Sequence, residues 1–230
     1  MGEDDQPHRV ALDEYSIGKY PVTNAQYRHF VDDGGYTEKH KDLWTPAGWD
    51  YREQNKIDKP KWWDSPPWNY DNHPVVGVAW FEAVAYCNWL TKTNSEGRTF
   101  RLPTEAEWEK VAGGADGRKW SWGDNSEDEK ANTRECGIGQ TTAVGLFPQG
   151  KSVHDVFDLA GNVAEWCSSV HNDYPYAADD GRECLEGSVE RCVRGGSWRY
   201  GLSLARCTYR LGFRPDDRSD YVGLRVAASR

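Results

Sequence analysis

The sequence predicts an α+β domain, with helices gathered in its first half and brief strands in a long irregular second half. Three observations predict it. Two helix-opening motifs, Thr23 with Gln26 and Thr104 with Glu107, lie early in the chain. In each, a hydroxyl caps the first turn and a longer side chain three residues on reaches back. Beyond them the chain breaks into short runs punctuated by Gly, Pro, Asn, Asp and Trp, with 23 Gly and 11 Pro in 230 residues. Helical and strand-like segments do not alternate, which argues against a βαβ order.

About three helices and a few short strands follow. The first helix opens at Thr23, runs to about residue 31 and stops at Gly34-Gly35. The second covers 80–93, where Phe81, Val84, Ala85, Cys87 and Leu90 recur on one side, although Ala79 stands where a capping hydroxyl is expected. The third opens at Thr104 and ends at Gly113-Gly114. Glu107 is its capping partner, and Glu105 and Glu109 read as solvated surface groups. Strands are expected over 189–194 and 223–227. Residues 36–74 carry Trp44, Trp49, Trp62, Trp63 and Trp68, too many tryptophans for a linker, so they read as an ordered loop packed on the body. Residues 172–190 are polar and acidic and read as a surface insertion. With no internal repeat and no linker, 1–230 is a single domain.

A net charge of −9 speaks against nucleic acid or an anionic membrane as the main partner, since both need a basic face. No apolar stretch is long enough to span a membrane, and residues 1–30 hold no signal-peptide core, so a cytoplasmic monomer is expected. Met1-Gly2 before the acidic Glu3-Asp4-Asp5 reads as a start left by truncation or cloning. Six cysteines stand at irregular spacings without a C-x-x-C pair or a zinc-type Cys/His cluster. They read as buried thiols in a reducing compartment, except that Cys184 and Cys192 flank a short polar segment and could bridge under oxidant.

The segment 158–165, Asp-Leu-Ala-Gly-Asn-Val-Ala-Glu, offers a tight turn with an amide oxygen, carbonyls and a carboxylate three residues apart, a hard-oxygen set suited to calcium. The C-terminal segment is built differently. Arg194-Gly195-Gly196-Ser197-Trp198, Arg206, Arg210, Pro215 and Arg218 read as a rigid frame separated by blocks of unrelated side chains.

Six ordered motifs carry a family resemblance: 20–27 (YPVTNAQY), 74–80 (PVVGVAW), 101–109 (RLPTEAEWE), Trp122-Gly123, 161–166 (GNVAEW) and 194–198 (RGGSW). Together they resemble the formylglycine-generating-enzyme/sulfatase-modifying-factor family over nearly the whole chain. The resemblance implies an elaborated C-type-lectin fold. It also implies structural calcium held by Glu165, the Asn162 side chain and carbonyls around it at Gly161 and Val163. A second calcium site would use Asn132 and the Thr133 carbonyl, but Gln140 stands where the family has an acidic partner.

The family's copper-dependent oxidases keep one cysteine three residues after the Gly-Gly-Ser and another five residues later. Tyr200 and Ala205 occupy those positions here, and the nearby Cys207 is a single thiol beside Arg206. Its ergothioneine-pathway sulfoxide synthases hold iron with three histidines from an attached helical domain. His8, His29, His40, His73, His154 and His171 are scattered and form no comparable set. The expectation is therefore a non-enzyme without copper or iron, most similar to the variable proteins of diversity-generating retroelements. Those proteins diversify asparagine codons, which cannot yield Lys, Glu, Gln, Met or Trp, and residues 199–230 contain none of the five. The expected ligand face comprises Arg199, Tyr200, Ser203, Tyr209, Leu211, Phe213, Asp217, Ser219, Asp220 and Tyr221. It combines aromatic anchors with charges suited to a protein or other macromolecular ligand. The remaining alternatives are a divergent oxidoreductase and a regulatory module of a larger kinase-like or defence protein.

Overall fold

Both capping boxes form. Thr23 Oγ1 accepts the Gln26 amide while Gln26 Oε1 accepts the Thr23 amide, which opens α1 (Asn24–Asp32). Thr104 and Glu107 make the same exchange at α4 (Glu105–Gly113). Between them, α3 (Trp80–Thr93) starts without a capping hydroxyl, as Ala79 foretold. Glu82 supplies the missing half, its Oε2 accepting the Ala79 amide at 2.7 Å. The computed structural model describes residues 1–2 and 8–229, so Glu3-Asp4-Asp5 lies outside the described residues.

A fourth helix, α2 (Pro46–Gln54), corrects the expectation of three. It lies inside the tryptophan-rich stretch, where Thr45 caps the Gly48 amide and Pro46 occupies the first turn, a position that needs no amide donor. Gly48 and Trp49 are its buried residues, a face too narrow to give a clear periodicity.

The strands are β1 (Ser16–Ile17), β2 (Thr99–Arg101), β3 (Ala164–Val170), β4 (Arg191–Arg194), β5 (Arg210–Phe213), β6 (Val222–Leu224) and β7 (Ala227–Ser229). One sheet has the order β1-β7-β2, all antiparallel, so the last strand fits between two early ones. The other has the order β5-β4-β3-β6, in which β3 and β6 are parallel. The single strand expected over 223–227 is thus two strands in different sheets, with buried Arg225 between them.

The main core packs α1 and α3 against the β3/β4 sheet through Tyr27, Phe30, Trp80, Trp166, Val193 and Leu224. A second cluster on the other face of β3 and β4 contains Trp108, Cys167, Cys192 and Cys207. Alternating side chains on strands buried on both faces supply both cores.

One expectation is corrected here. Glu105 and Glu109 are not solvated: Glu105 is fully buried and Glu109 is 7% exposed. Glu105 takes a two-pronged bond from Arg210, at 2.6 and 2.8 Å, and Glu109 pairs with fully buried Arg194. Cys184, which is exposed, and Cys192, which is buried, are both free thiols. Among the described residues no helix is long and apolar enough to cross a membrane.

Candidate ligand-binding site

The frame of the C-terminal segment is held as its residue types require. Gly195 and Gly196 have φ of +93° and +63°, and a Cβ on Gly196 would stand 2.8 Å from the Leu204 carbonyl oxygen. Only glycine meets both demands without strain. Trp198 lies against Trp68 with ring centroids 5.5 Å apart. Arg218 donates to the Gly77 and Lys59 carbonyls and pairs with buried Glu82 at 2.9 Å. The Pro215 carbonyl accepts the Trp80 amide at the start of α3.

This frame brings five of the expected ligand residues to one open groove. Arg199, Asp217, Ser219, Asp220 and Tyr221 form one wall with Asp216 and Arg218. The opposite wall comes from a part of the chain that sequence reasoning did not assign to the site: Tyr51, Asn55, Ile57, Lys61 and Trp62. Tyr51 ties the walls together, its hydroxyl donating to the Asp216 carbonyl at 3.0 Å, and burial pushes its phenol up to about 12. Each aromatic face already receives a cation, Lys61 over Trp62 at 4.7 Å and Arg199 over Tyr221 at 5.4 Å. Arg199 also approaches Asp220 at 3.7 Å, and Asp217 accepts from the Ser219 hydroxyl at 3.0 Å.

The other expected residues are placed elsewhere. Tyr200 stands edge-on to Tyr221, just behind the groove. Ser203 is exposed on a separate 3-10 turn. Leu211 and Phe213 pack on the main core, with Phe213 against Trp166 and Tyr221. Tyr209 does not line the groove, and its carbonyl accepts from Arg194.

Ala205 is buried beside Trp120 and Leu202, whereas Cys207 belongs to the second core cluster. Burial pushes the Cys207 thiol up to about 12, and it is not part of the groove.

The calcium set inferred from 158–165 does not fit in that form. Both Glu165 oxygens are taken by Arg225, at 2.9 and 2.7 Å, and Trp108 Nε1 donates to one of them at 2.7 Å. The Asn162 amide oxygen accepts the Thr142 amide, and its carbonyl accepts the Trp198 amide. A cation at Glu165 would have to displace a guanidinium. At the second position, Asn132 Nδ2 donates to the Gln140 carbonyl. Among the described residues, no three His, Cys, Asp or Glu side chains converge as metal ligands.

The family model described as "Sulfatase-modifying factor enzyme 1-like domain" matches residues 1–230. The chain belongs to this family. It is 32% identical over 245 residues to a hercynine oxygenase of Mycolicibacterium thermoresistibile, covering 96% of this chain and 52% of that protein. It is 30% identical over 266 residues to a formylglycine-generating enzyme of Bos taurus, covering 96% of this chain and 67% of the relative. Among solved structures, Treponema denticola variable protein 1 superposes with a TM-score of 0.73 and 26% identity, covering all of this chain and 91% of that one. The chain spans about half the length of the hercynine oxygenases it matches.

These relatives correct one expectation. Tyr200 and Ala205 at the cysteine positions suggested a protein outside the enzymes. Yet relatives about 30% identical over 96% of the chain are named as enzymes, a hercynine oxygenase and a formylglycine-generating enzyme, so the expectation of a non-enzyme does not stand. Two missing cysteines speak only to one copper chemistry, and one scaffold can carry several reactions.

Proposed function

We propose that this domain recognises a macromolecular ligand through the groove between its C-terminal segment and the tryptophan-rich segment, and that the ligand presents basic side chains. The observation that carries this reading is the pair of aromatic faces, Trp62 and Tyr221, which line one groove with Asp217 and Asp220 and each already hold a cation. Arg218 is committed to Glu82 and Asp216 to Arg214, which leaves Lys61 and Arg199 with Asp217 and Asp220. A ligand ammonium or guanidinium can replace the side-chain cations over the rings while the aspartates balance its charge. The net charge of −9 adds long-range attraction for such a partner.

The likeness to a variable protein supports using the 199–222 stretch for display. Panning a displayed random-peptide library on the immobilised protein tests the reading. Peptides rich in Lys and Arg should be enriched and then lost on Asp217→Ala/Asp220→Ala protein. Equal recovery on both proteins would sink it. Natural copies of the gene should also differ mainly within 199–222, and even variation along the chain would count against display.

A second reading is favoured by the three hercynine oxygenase matches. Here the groove holds the substrate for an oxidation completed by a part of the protein equivalent to the relatives' other half. Calorimetric titration with hercynine separates the two, because saturable binding abolished by Tyr221→Ala would favour the oxygenase reading.

A further inference from the structure

The second core cluster contains two thiols that the groove does not use. In the β3–β4 ladder, Glu165 opposes Arg194 and Trp166 opposes Val193. The next residue on each strand is a cysteine, Cys167 on β3 and Cys192 on β4. Side chains alternate along strands, and the clusters follow that alternation. Trp166 and Val193 enter the main core, whereas Cys167 and Cys192 both enter the second. The two thiols therefore leave neighbouring strands on the same face, one step past the Trp166–Val193 pair, where the register shift between Trp166 and Val170 begins. Opposed residues of antiparallel strands, such as Trp166 and Val193, have Cα atoms roughly 4.5–5.5 Å apart, and cysteines one step further along both strands start close to the roughly 4.4–6.8 Å span of a disulfide. The bulge lets this end of the ladder adjust without moving the paired residues before it.

We propose that Cys167 and Cys192 form a redox pair that closes into a cross-strand disulfide when the protein meets a small two-electron oxidant such as hydrogen peroxide. The pair has a built-in asymmetry. Arg210 Nη2 donates to the Cys192 sulfur at 3.3 Å, while the Cys192 thiol points to the Val170 carbonyl at 3.7 Å. No cation donates a hydrogen bond to Cys167 among the described residues, where Arg194 acts from further off against Glu105 and Glu165, and burial pushes both thiols up. Cys192 is thus the sulfur with a guanidinium hydrogen-bonded to it, and it attacks first.

Its thiolate takes one peroxide oxygen to become a sulfenic acid, and the other oxygen leaves as water with the released proton. The Cys167 sulfur then attacks the sulfenic sulfur, its proton leaves with the hydroxyl as a second water, and the S–S bond forms. Two thiols are oxidised by two electrons and one peroxide is reduced to two waters. Because both sulfurs are buried, the reaction is slow compared with that of an exposed thiol, and it favours Cys167 with Cys192 because they leave adjoining strands, whereas Cys207, in the same cluster, lies outside that ladder.

The test uses the whole folded chain exposed to hydrogen peroxide, quenched with catalase, denatured, alkylated and digested for mass spectrometry. The expected product is one linked peptide pair containing Cys167 and Cys192, lighter by two hydrogens and separated by dithiothreitol, with Cys87 and Cys207 recovered alkylated. Cys184→Ser should leave the link intact and Cys192→Ser should abolish it, with circular dichroism reporting whether each variant folds. The wild-type result stands even if Cys192→Ser does not fold. Recovery of both cysteines fully alkylated while exposed Cys184 is oxidised would overturn the proposal. So would a link from Cys192 to Cys184, or a 167–192 link formed only in urea.

Discussion

Glu165 and Arg225 form a two-pronged ion pair in which neither side chain has any exposed surface. Arg225 also donates to the Gly18 and Phe157 carbonyls, so one guanidinium ties β3 to the N-terminal strand region and to the loop before β3. Removing one partner of such a pair leaves an uncompensated buried charge, which typically costs about 3–5 kcal/mol. Arg225→Ala should lose stability in that range by urea denaturation, and Glu165→Gln should lose less because it keeps an acceptor for Trp108. An Arg225→Ala loss below about 1 kcal/mol would show that the pair does not hold the sheet.

The same pair bears on calcium. With Glu165 satisfied by Arg225, adding calcium or a chelator should leave the melting temperature within about 1 °C, because a cation with no affinity for the folded state adds no stability. A rise of several degrees with calcium would return Glu165 to the ligand set inferred from the sequence.

Asp158 should make stability depend on pH. It is buried, it accepts the Gly145 amide at 2.7 Å, and burial pushes its carboxyl up to about 6 from an ordinary 3.8. Between those values the folded chain holds a proton that the unfolded chain has released, so this group's contribution to stability falls as pH rises from about 4 to 6. Below that window the penalty is absent, and above it the penalty is complete. Asp158→Asn keeps an acceptor for Gly145 and removes the charge, so it should raise stability at pH 7 by up to about 3 kcal/mol and flatten the pH profile. Unchanged stability at pH 7 would contradict the burial cost.

Gly196 is the tightest point of the C-terminal frame. Gly196→Ala would force a Cβ against the Leu204 carbonyl at positive φ, and should cost about 2 kcal/mol or more. The groove should lose order with it, and a variant as stable as the parent would mean that the frame yields.

Cys207 should be inert in the native protein. Iodoacetamide at neutral pH should modify exposed Cys184 well before Cys207, whose thiol burial holds at about 12. Faster alkylation of Cys207 would revive it as a reactive group.

The parts of this fold legible in the sequence were those written locally. The Thr23/Gln26 and Thr104/Glu107 exchanges span four residues each, and the apolar recurrence of 80–93 lies within one helix. The Gly-Gly-Ser-Trp frame was legible because its glycines demand unusual backbone conformations. What escaped depends on distant partners. Glu105 and Glu109 look solvated until Arg194 and Arg210, some 85–105 positions away, are folded against them. Tyr51 and Trp62 gave no sign of facing Tyr221, because only the closed fold brings the two segments together. Leu211 and Phe213 looked like ligand contacts for the opposite reason, since a short strand gives no clue to which face the core will cover.

The central claim is that the groove between Trp62 and Tyr221 receives a basic ligand. Its most direct test is the indole N–H resonance of Trp62, assigned with a Trp62→Phe variant, during titration with tetralysine. The account predicts a saturable shift of this resonance that tetraglutamate does not produce and that Asp217→Ala/Asp220→Ala abolishes. A Trp62 resonance that stays still, or that moves equally with either peptide, would contradict it.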